Sequence, residues 1–185
     1  RDSFMPHYKG KHKTVELESK VMVSGTEIRK NISDKFLASS EFRAGVINSL
    51  HNQYNKVYPT VDVAIYKETE DLFLFGRKPN QTKMRFIGGF VDPSDKSFEL
   101  AGIREVREET CCTVDGLTYV GSFQVDDWRY RRVADKIMTT FYLGYYIQGP
   151  VNPADDIAQL FWMRLDDVTD EMFVPEHHPL LHKLK

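Results

Sequence analysis

The sequence predicts an α/β sandwich in which helices cover a mixed sheet. Three observations carry this. Runs at 60–66, 72–75, 117–125, 136–146 and 160–163 are rich in β-branched and aromatic residues and read as strands. Helical patterns interrupt them at 97–110 and again at 175–185, the alternation expected of a sheet packed against helices. The chain has 185 residues, 41% apolar and 28% charged, a globular balance with room for one ordinary domain and an appendage.

The same composition excludes several classes. A net charge of −2 gives no electrostatic case for nucleic acid or an anionic membrane. No apolar run approaches the roughly 20 residues needed to span a bilayer, and the N-terminal stretch lacks an apolar signal core. Cys111 and Cys112 are adjacent, so they offer neither a disulfide framework nor zinc-ligand spacing. A cytoplasmic protein is the expectation.

Taken in order, residues 21–29 read V-M-V-S-G-T-E-I-R, a strand-like run meeting the start of a helix. Hydroxyls and free amides at such a start either cap the helix or bind a phosphate. Over 41–58, Phe42, Val46, Leu50 and Tyr54 recur at four-residue steps, which predicts an amphipathic helix with an apolar packing face. The approach to Pro59 breaks it. Residues 1–55 therefore form a tail and linker helix, and 56–185 a second domain.

In that domain, 60–66 alternates and sets Val61, Val63 and Ile65 on one face. A turn at 68–71 leads to the strand 72–75. Arg77, Lys83 and Arg85 follow as cations that could meet a diphosphate, with Arg77 favoured.

Residues 88–112 read G-G-F-V-D-P-S-D-K-S-F-E-L-A-G-I-R-E-V-R-E-E-T-C-C. At about 100° per residue, Glu105, Glu108 and Glu109 share an arc of roughly 100°, while Ile103, Val106 and Thr110 face a core. Three acids on one face repel unless a cation sits among them, and their oxygens suit a hard ion such as Mg²⁺. The bland alternative is a solvated face relieved by Arg104 and Arg107, at about 0.2–0.5 kcal/mol per pair.

After the strand 117–125 comes D-D-W-R-Y at 126–130. Its acids, arginine and aromatics could bond ribose, meet phosphate and stack a base; a polar hairpin loop with a half-buried Trp128 is the alternative. The strand 136–146 leads into a Gly-Pro and Asn-Pro loop ending at Asp155 and Asp156, where Asp156 is the candidate general base or else a turn residue. His177, His178 and His182 near the C-terminus read as exposed helix residues rather than ligands.

The Gly-Gly turn followed by R-E-x-x-E-E resembles the Nudix box, the signature of hydrolases that cleave nucleoside diphosphates linked to another moiety. Gly89, Arg104, Glu105, Glu108 and Glu109 fall on signature positions. Two positions depart from it. The loop glutamate appears as Asp95, one residue further from Arg104, with Glu99 as a substitute, and the glycine after the acid pair is Cys111.

The resemblance implies the Nudix α/β/α sandwich over 56–185. It implies Mg²⁺, with Mn²⁺ as the alternative, held by Glu105, Glu108, Glu109 and the Gly89 carbonyl, and Arg104 orienting a helix carboxylate. S-G-T-E-I-R resembles the late motif of nicotinamide mononucleotide adenylyltransferases. Their early H-x-G-H motif is missing, so the segment looks like the tail of such a domain and no adenylyl transfer is assigned. D-D-W-R-Y resembles a loop of the Nudix domains fused to those enzymes, which hydrolyse ADP-ribose to AMP and ribose 5-phosphate in NAD metabolism. ADP-ribose is thus the expected substrate, held by Arg77, Asp126, Trp128 and Arg129. The alternatives are NADH, a nucleoside triphosphate or a sugar nucleotide, or a sensor that binds ADP-ribose without cleaving it. A homodimer is expected from the resemblance alone.

Overall fold

The computed structural model describes Gly10 and residues 25–185. The chain divides into two compact units, Arg1–Tyr54 and Asn55–Lys185. In the first, α1 spans Gly25–Ala38 and α2 spans Ser40–His51. Ser39 caps α2, its hydroxyl accepting from the Phe42 amide at 3.1 Å. Residues 21–24 of the S-G-T-E-I-R motif region lie outside the described residues, and Gly25–Arg29 open α1.

Helix α2 is shorter than predicted and buries none of its residues. It ends at His51, ahead of Tyr54, the last position of the predicted stripe, and Val57 and Tyr58 belong to β1, Val57–Lys67. A β-branched residue, an aromatic and a following proline all favour extended backbone there.

The second unit is built on a six-stranded sheet. Besides β1 it contains β2 (Leu72–Arg77), β3 (Ile87–Phe90), β4 (Thr113–Val125), β5 (Lys136–Gln148) and β6 (Gln159–Met163). The strand order is β4-β5-β1-β2-β6, and β3 pairs separately with β1. Strand β1 runs parallel to β5 and antiparallel to β2 and β3, which makes the sheet mixed as expected.

Two helices cover its faces: α3, Phe98–Thr110, and α4, His178–Leu184. Val61, Val63 and Ile65 pack with Ala101 and Val106 in one core. Ala64, Phe75, Phe86, Phe141, Leu180 and Leu181 form the other. Alternation along β1 therefore separates two apolar layers rather than core from solvent, because the central strand is covered on both faces. Among the described residues no helix is long and apolar enough to cross a membrane.

Helix α3 starts at the Ser97 cap, whose hydroxyl accepts from Leu100 N at 3.2 Å. It ends on Cys111 in the left-handed conformation, φ 60° and ψ 3°, with the Cys111 amide donating to Arg107 O at 3.0 Å. The turn that glycine would favour is thus formed by a residue carrying a Cβ, at roughly 1–2 kcal/mol. Cys111→Gly relieves that strain but adds chain entropy, so a net gain of about 0.5–1 kcal/mol in unfolding free energy is expected. Denaturant unfolding checks this; an unchanged or lower midpoint would show that the strain is absent.

Candidate active site

The site forms where β3 passes under α3. Gly88 and Gly89 pair with Asp62 and Val61 of β1. A Cβ on Gly88 would lie 2.0 Å from Val61 O, and one on Gly89 would lie 2.8 Å from both carboxylate oxygens of Glu105. Only bare backbone fits between the central strand and the acids. The Gly88 amide uses that closeness, donating to Glu109 Oε2 at 2.9 Å.

The three helix acids are not equivalent. Glu105 is 8% exposed and Glu109 2%, whereas the Glu108 side chain is half-exposed. Burial raises the pKa of Glu105 despite its bond to Arg104. Burial, followed by the nearby Asp156 carboxylate, pushes Glu109 up to about 9 against the opposing Gly88 hydrogen bond. For Asp156 burial acts upward, but hydrogen bonds to Lys78 and Glu109 outweigh it and hold the group below the usual range. The pair therefore keeps its proton on Glu109 and its charge on Asp156, beside the Lys78 ammonium.

Arg104 binds the acids together. Its Nη1 donates to Glu105 at 2.7 Å and Glu108 at 2.9 Å, and Nη2 reaches Phe90 O at 3.1 Å. Asp95 takes the other edge of the guanidinium in a two-point contact of 3.1 and 2.8 Å. The extra residue in the loop is absorbed by a turn in which the Asp95 amide donates to Asp92 O, and Asp92 and Ser94 amides donate to the two carboxylates. Glu99, the alternative loop acid, instead receives the Tyr142 hydroxyl at 3.3 Å.

Among the described residues no three His, Cys, Asp or Glu side chains stand together as a ready metal-binding group. Arg104 spans Glu105 and Glu108 instead. The donor chemistry nevertheless fits a hard divalent cation. Two carboxyl groups are buried close together on one helix face, a third lies one turn away, and the side-chain-free Gly89 backbone faces Glu105.

The acids line the inner lobe, of about 290 Å³, of a cleft that also takes in Asp62, Lys78, Arg85, Asp127, Arg129, Asp155, Asp156 and His177. An outer lobe of about 530 Å³ shares Lys78, Arg85, Asp127, Arg129 and His177 with it and adds Asn80, Lys83, Trp128, Pro175 and Glu176. Asp156 arrives through its loop, where Asn152 N and Ala154 N donate at 3.0 Å to Thr110 O and Glu109 O, carbonyls left open at the end of α3.

Of the residues singled out by sequence, Gly89, Glu105, Glu109, Asp156, Trp128 and Arg129 line the cleft, while Arg104 and Glu108 border it through their mutual bond. Two do not reach it. Arg77 bonds Gln159 and lies over the Phe161 ring at 4.8 Å, since its place on β2 directs it to neighbouring β6. Asp126 is exposed and pairs with Arg131 at 3.1 Å; its neighbour Asp127 points inward and grips Arg129 at 2.9 and 2.8 Å. Trp128 is 71% exposed at the rim, not half-buried.

Sequence reasoning missed Asp62, Lys78, Asp127 and His177. Strand alternation could have flagged Asp62 as an acid inside a central strand. His177 was expected to be exposed, yet it is buried, because Pro175–His177 is a 3₁₀ turn that seats the ring parallel to Phe86. His178 is half-buried and close to Asp170 O, whereas His182 pairs with the Asp170 carboxylate at 2.9 Å on the surface.

The family model described as "NUDIX domain" matches residues 56–184. No curated protein matches the sequence. Among solved structures, the MutT NUDIX hydrolase of Burkholderia pseudomallei superposes with a TM-score of 0.59 at 19% identity, over 71% of this chain and 100% of that one. The NUDIX domain of Shewanella oneidensis NrtR complexed with ADP ribose gives 0.57 at 19% identity, over 75% and 95%. The E. coli ORF135 protein gives 0.53 at 25% identity, over 70% and 89%.

The buried His177 predicts a pH dependence. Phe86 N donates to its Nδ1 at 3.2 Å, and burial, with Arg85 and Lys78 nearby, lowers its pKa although Asp62 opposes this. The folded state therefore resists protonation. Stability from this group is constant above the ordinary value of 6.5 and falls as pH drops below it, by at most about 1.4 kcal/mol per pH unit. Glu109 acts oppositely, its raised pKa penalising the folded state as pH climbs towards about 9. Subtracting the stability of His177→Gln, which retains Glu109 and an acceptor for Phe86 N, cancels that opposing contribution. The difference should be flat above pH 6.5 and shift in favour of the variant below it; a flat difference down to pH 5 would refute the buried neutral imidazole.

Proposed function

This chain belongs to the Nudix family, and on that premise we propose that it hydrolyses the diphosphate of ADP-ribose to AMP and ribose 5-phosphate. The observation that carries the proposal is a single cleft with buried acids at its inner end and cations and Trp128 towards its outer end. A diphosphate resists attack because its own oxygens repel a nucleophile. Its cleavage calls for positive charge at the phosphates and an aligned water.

The family's divalent cation, Mg²⁺ or Mn²⁺, would be held by Glu105, Glu108, Glu109 and the Gly89 carbonyl, and when bound it offsets phosphate charge and acidifies water. The chain's own residues supply the remainder. Arg104 holds Glu105 and Glu108 in fixed orientation through a guanidinium anchored on Asp95 and Phe90 O. Asp156 is the base, ionised beside Lys78 and placed by the loop tied to α3. It takes a proton from the water whose oxygen bonds to phosphorus, the bridging P–O bond breaks, and the bridging oxygen leaves on the other phosphate.

The turn at 126–130 serves recognition in this scheme. Asp127 and Arg129 form a rigid pair, with Arg129 5.3 Å from the centre of the Phe90 ring, and Trp128 offers an exposed face for stacking at the outer lobe. ADP-ribose is also the ligand of the NrtR domain that shares this fold.

Glu109→Gln is isosteric and removes a carboxylate that is already protonated in the unliganded fold. Melting should be nearly unchanged while ADP-ribose turnover falls by a factor on the order of 100 or more, about 2.7 kcal/mol of lost transition-state stabilisation. A panel of ADP-ribose, NADH, nucleoside triphosphates and sugar nucleotides with Mg²⁺, resolved by chromatography, should show AMP released fastest from ADP-ribose. Binding without product, or undiminished turnover by the variant, would refute the proposal.

A further inference from the structure

The cations around the cleft are not all committed. Lys78 is paired with Asp156, and Arg129 makes a two-point bond to Asp127. Arg85 lines both lobes, yet among the described residues no carboxylate lies within ion-pair reach of it. Its Nη2 donates to Gln81 at 3.2 Å, and its Nε is buried without any acceptor. A buried donor left unmatched costs about 1–3 kcal/mol, and more when the group is charged.

The arginine is held on rigid backbone. Arg85 N donates to Gly76 O at 2.8 Å and Arg85 O accepts from Gly76 N at 3.0 Å, which ties the residue to β2. The next residue, Phe86, is 1% exposed and its amide is fixed on His177. The guanidinium is thus presented from a fixed base. Its Nε is enclosed, and the terminal nitrogens, Nη2 on Gln81 and Nη1 with no partner among the described residues, are the ones that face outward to meet phosphoryl oxygens. Its position is equally specific. Glu105 and Glu109 line only the inner lobe, and Trp128 and Gln81 only the outer one. A molecule with its diphosphate at the acids and its terminal group beside Trp128 has to pass Arg85.

We propose that Arg85 grips a phosphoryl oxygen of the substrate where the two lobes join, a binding role that rests on the diphosphate reading above. The substrate thereby meets the terminal Nη1, which no group among the described residues engages. An arginine retained for stability would behave differently from one retained for binding. Replacing it with an unbranched apolar side chain removes the unmatched donor, so the fold should lose nothing while binding weakens.

The test compares the wild type with Arg85→Met and Arg85→Lys. A methylene-bridged ADP-ribose analogue, whose P–C–P link is not hydrolysed, is titrated with Mg²⁺ by calorimetry, alongside melting temperatures and ADP-ribose kinetics. Arg85→Met should melt at or above the wild-type temperature, bind the analogue at least tenfold more weakly, and raise KM about tenfold with kcat within about threefold. Arg85→Lys, which keeps the charge but not the fork, should fall between, and it carries the test if the methionine variant does not fold. Unchanged analogue affinity and KM in either variant would overturn the role, as would failure of the wild type to bind the analogue. A wild type that binds the analogue in an Arg85-dependent way but cleaves no ADP-ribose would support Arg85 and overturn only the hydrolase reading.

Discussion

The architecture of the site depends on one close approach, that of the Gly88–Gly89 backbone to both the central strand and the carboxylates of α3. The Gly88 position leaves no room for a Cβ against Val61 O, and the Gly89 position none against Glu105. Because the backbone is bare there, its amide can reach Glu109 at 2.9 Å, and the helix can settle low enough for Val106 and Ala101 to join the core below it. Packing and chemistry therefore share one requirement. A side chain at Gly88 would break the pairing with β1, and one at Gly89 would displace the Glu105 carboxylate.

The end of α3 extends the same arrangement. Helices leave their last carbonyls unmatched, and here the loop before β6 uses the carbonyls of Glu109 and Thr110 as anchors. Completing the helix is what carries Asp156 to Glu109. Burial and the close Asp156 carboxylate then raise the Glu109 pKa while Lys78 and Glu109 hold Asp156 ionised. Two neighbouring acids are driven to opposite protonation states by their partners, the pattern that separates a proton holder from a proton acceptor in one site.

Charge along the cleft follows a gradient set by pairing. At the inner end Arg104 is saturated by Asp95, Glu105 and Glu108 and acts as a structural tie. At the rim Arg129 is locked on Asp127. Arg85, between them, is the cation whose bonding is incomplete, so the electrostatic demand of the unliganded protein concentrates where the lobes meet. Asp62 and His177 form part of the wall on that side, and the buried Thr139 hydroxyl behind it donates to Asp62 at 2.6 Å.

The sequence by itself determined the features that local geometry governs. The 3.6-residue period placed Glu105, Glu108 and Glu109 on one helix face and Val106 on another, and the β-rich runs located five of the six strands to within a few residues, the short β3 that carries Gly88 and Gly89 going unread. It could not rank the three acids, because the burial of Glu105 and Glu109 but not Glu108 is set by where β3 crosses the helix. Nor could it choose among Arg77, Lys83 and Arg85. Arg77 is drawn to Gln159 and Phe161 by strand pairing, while a bridge to Gly76 turns Arg85 into the cleft. Adjacent acids at 126 and 127 look alike in sequence, and only the 3₁₀ turn at Trp128–Tyr130 decided that Asp127 faces the site and Asp126 solvent. His177 was misjudged for the same reason. Nearness to the chain end suggested exposure, but the residue's neighbours are Phe86 and Asp62, some ninety and more positions earlier in the chain, and contacts of that range leave no periodic trace in sequence.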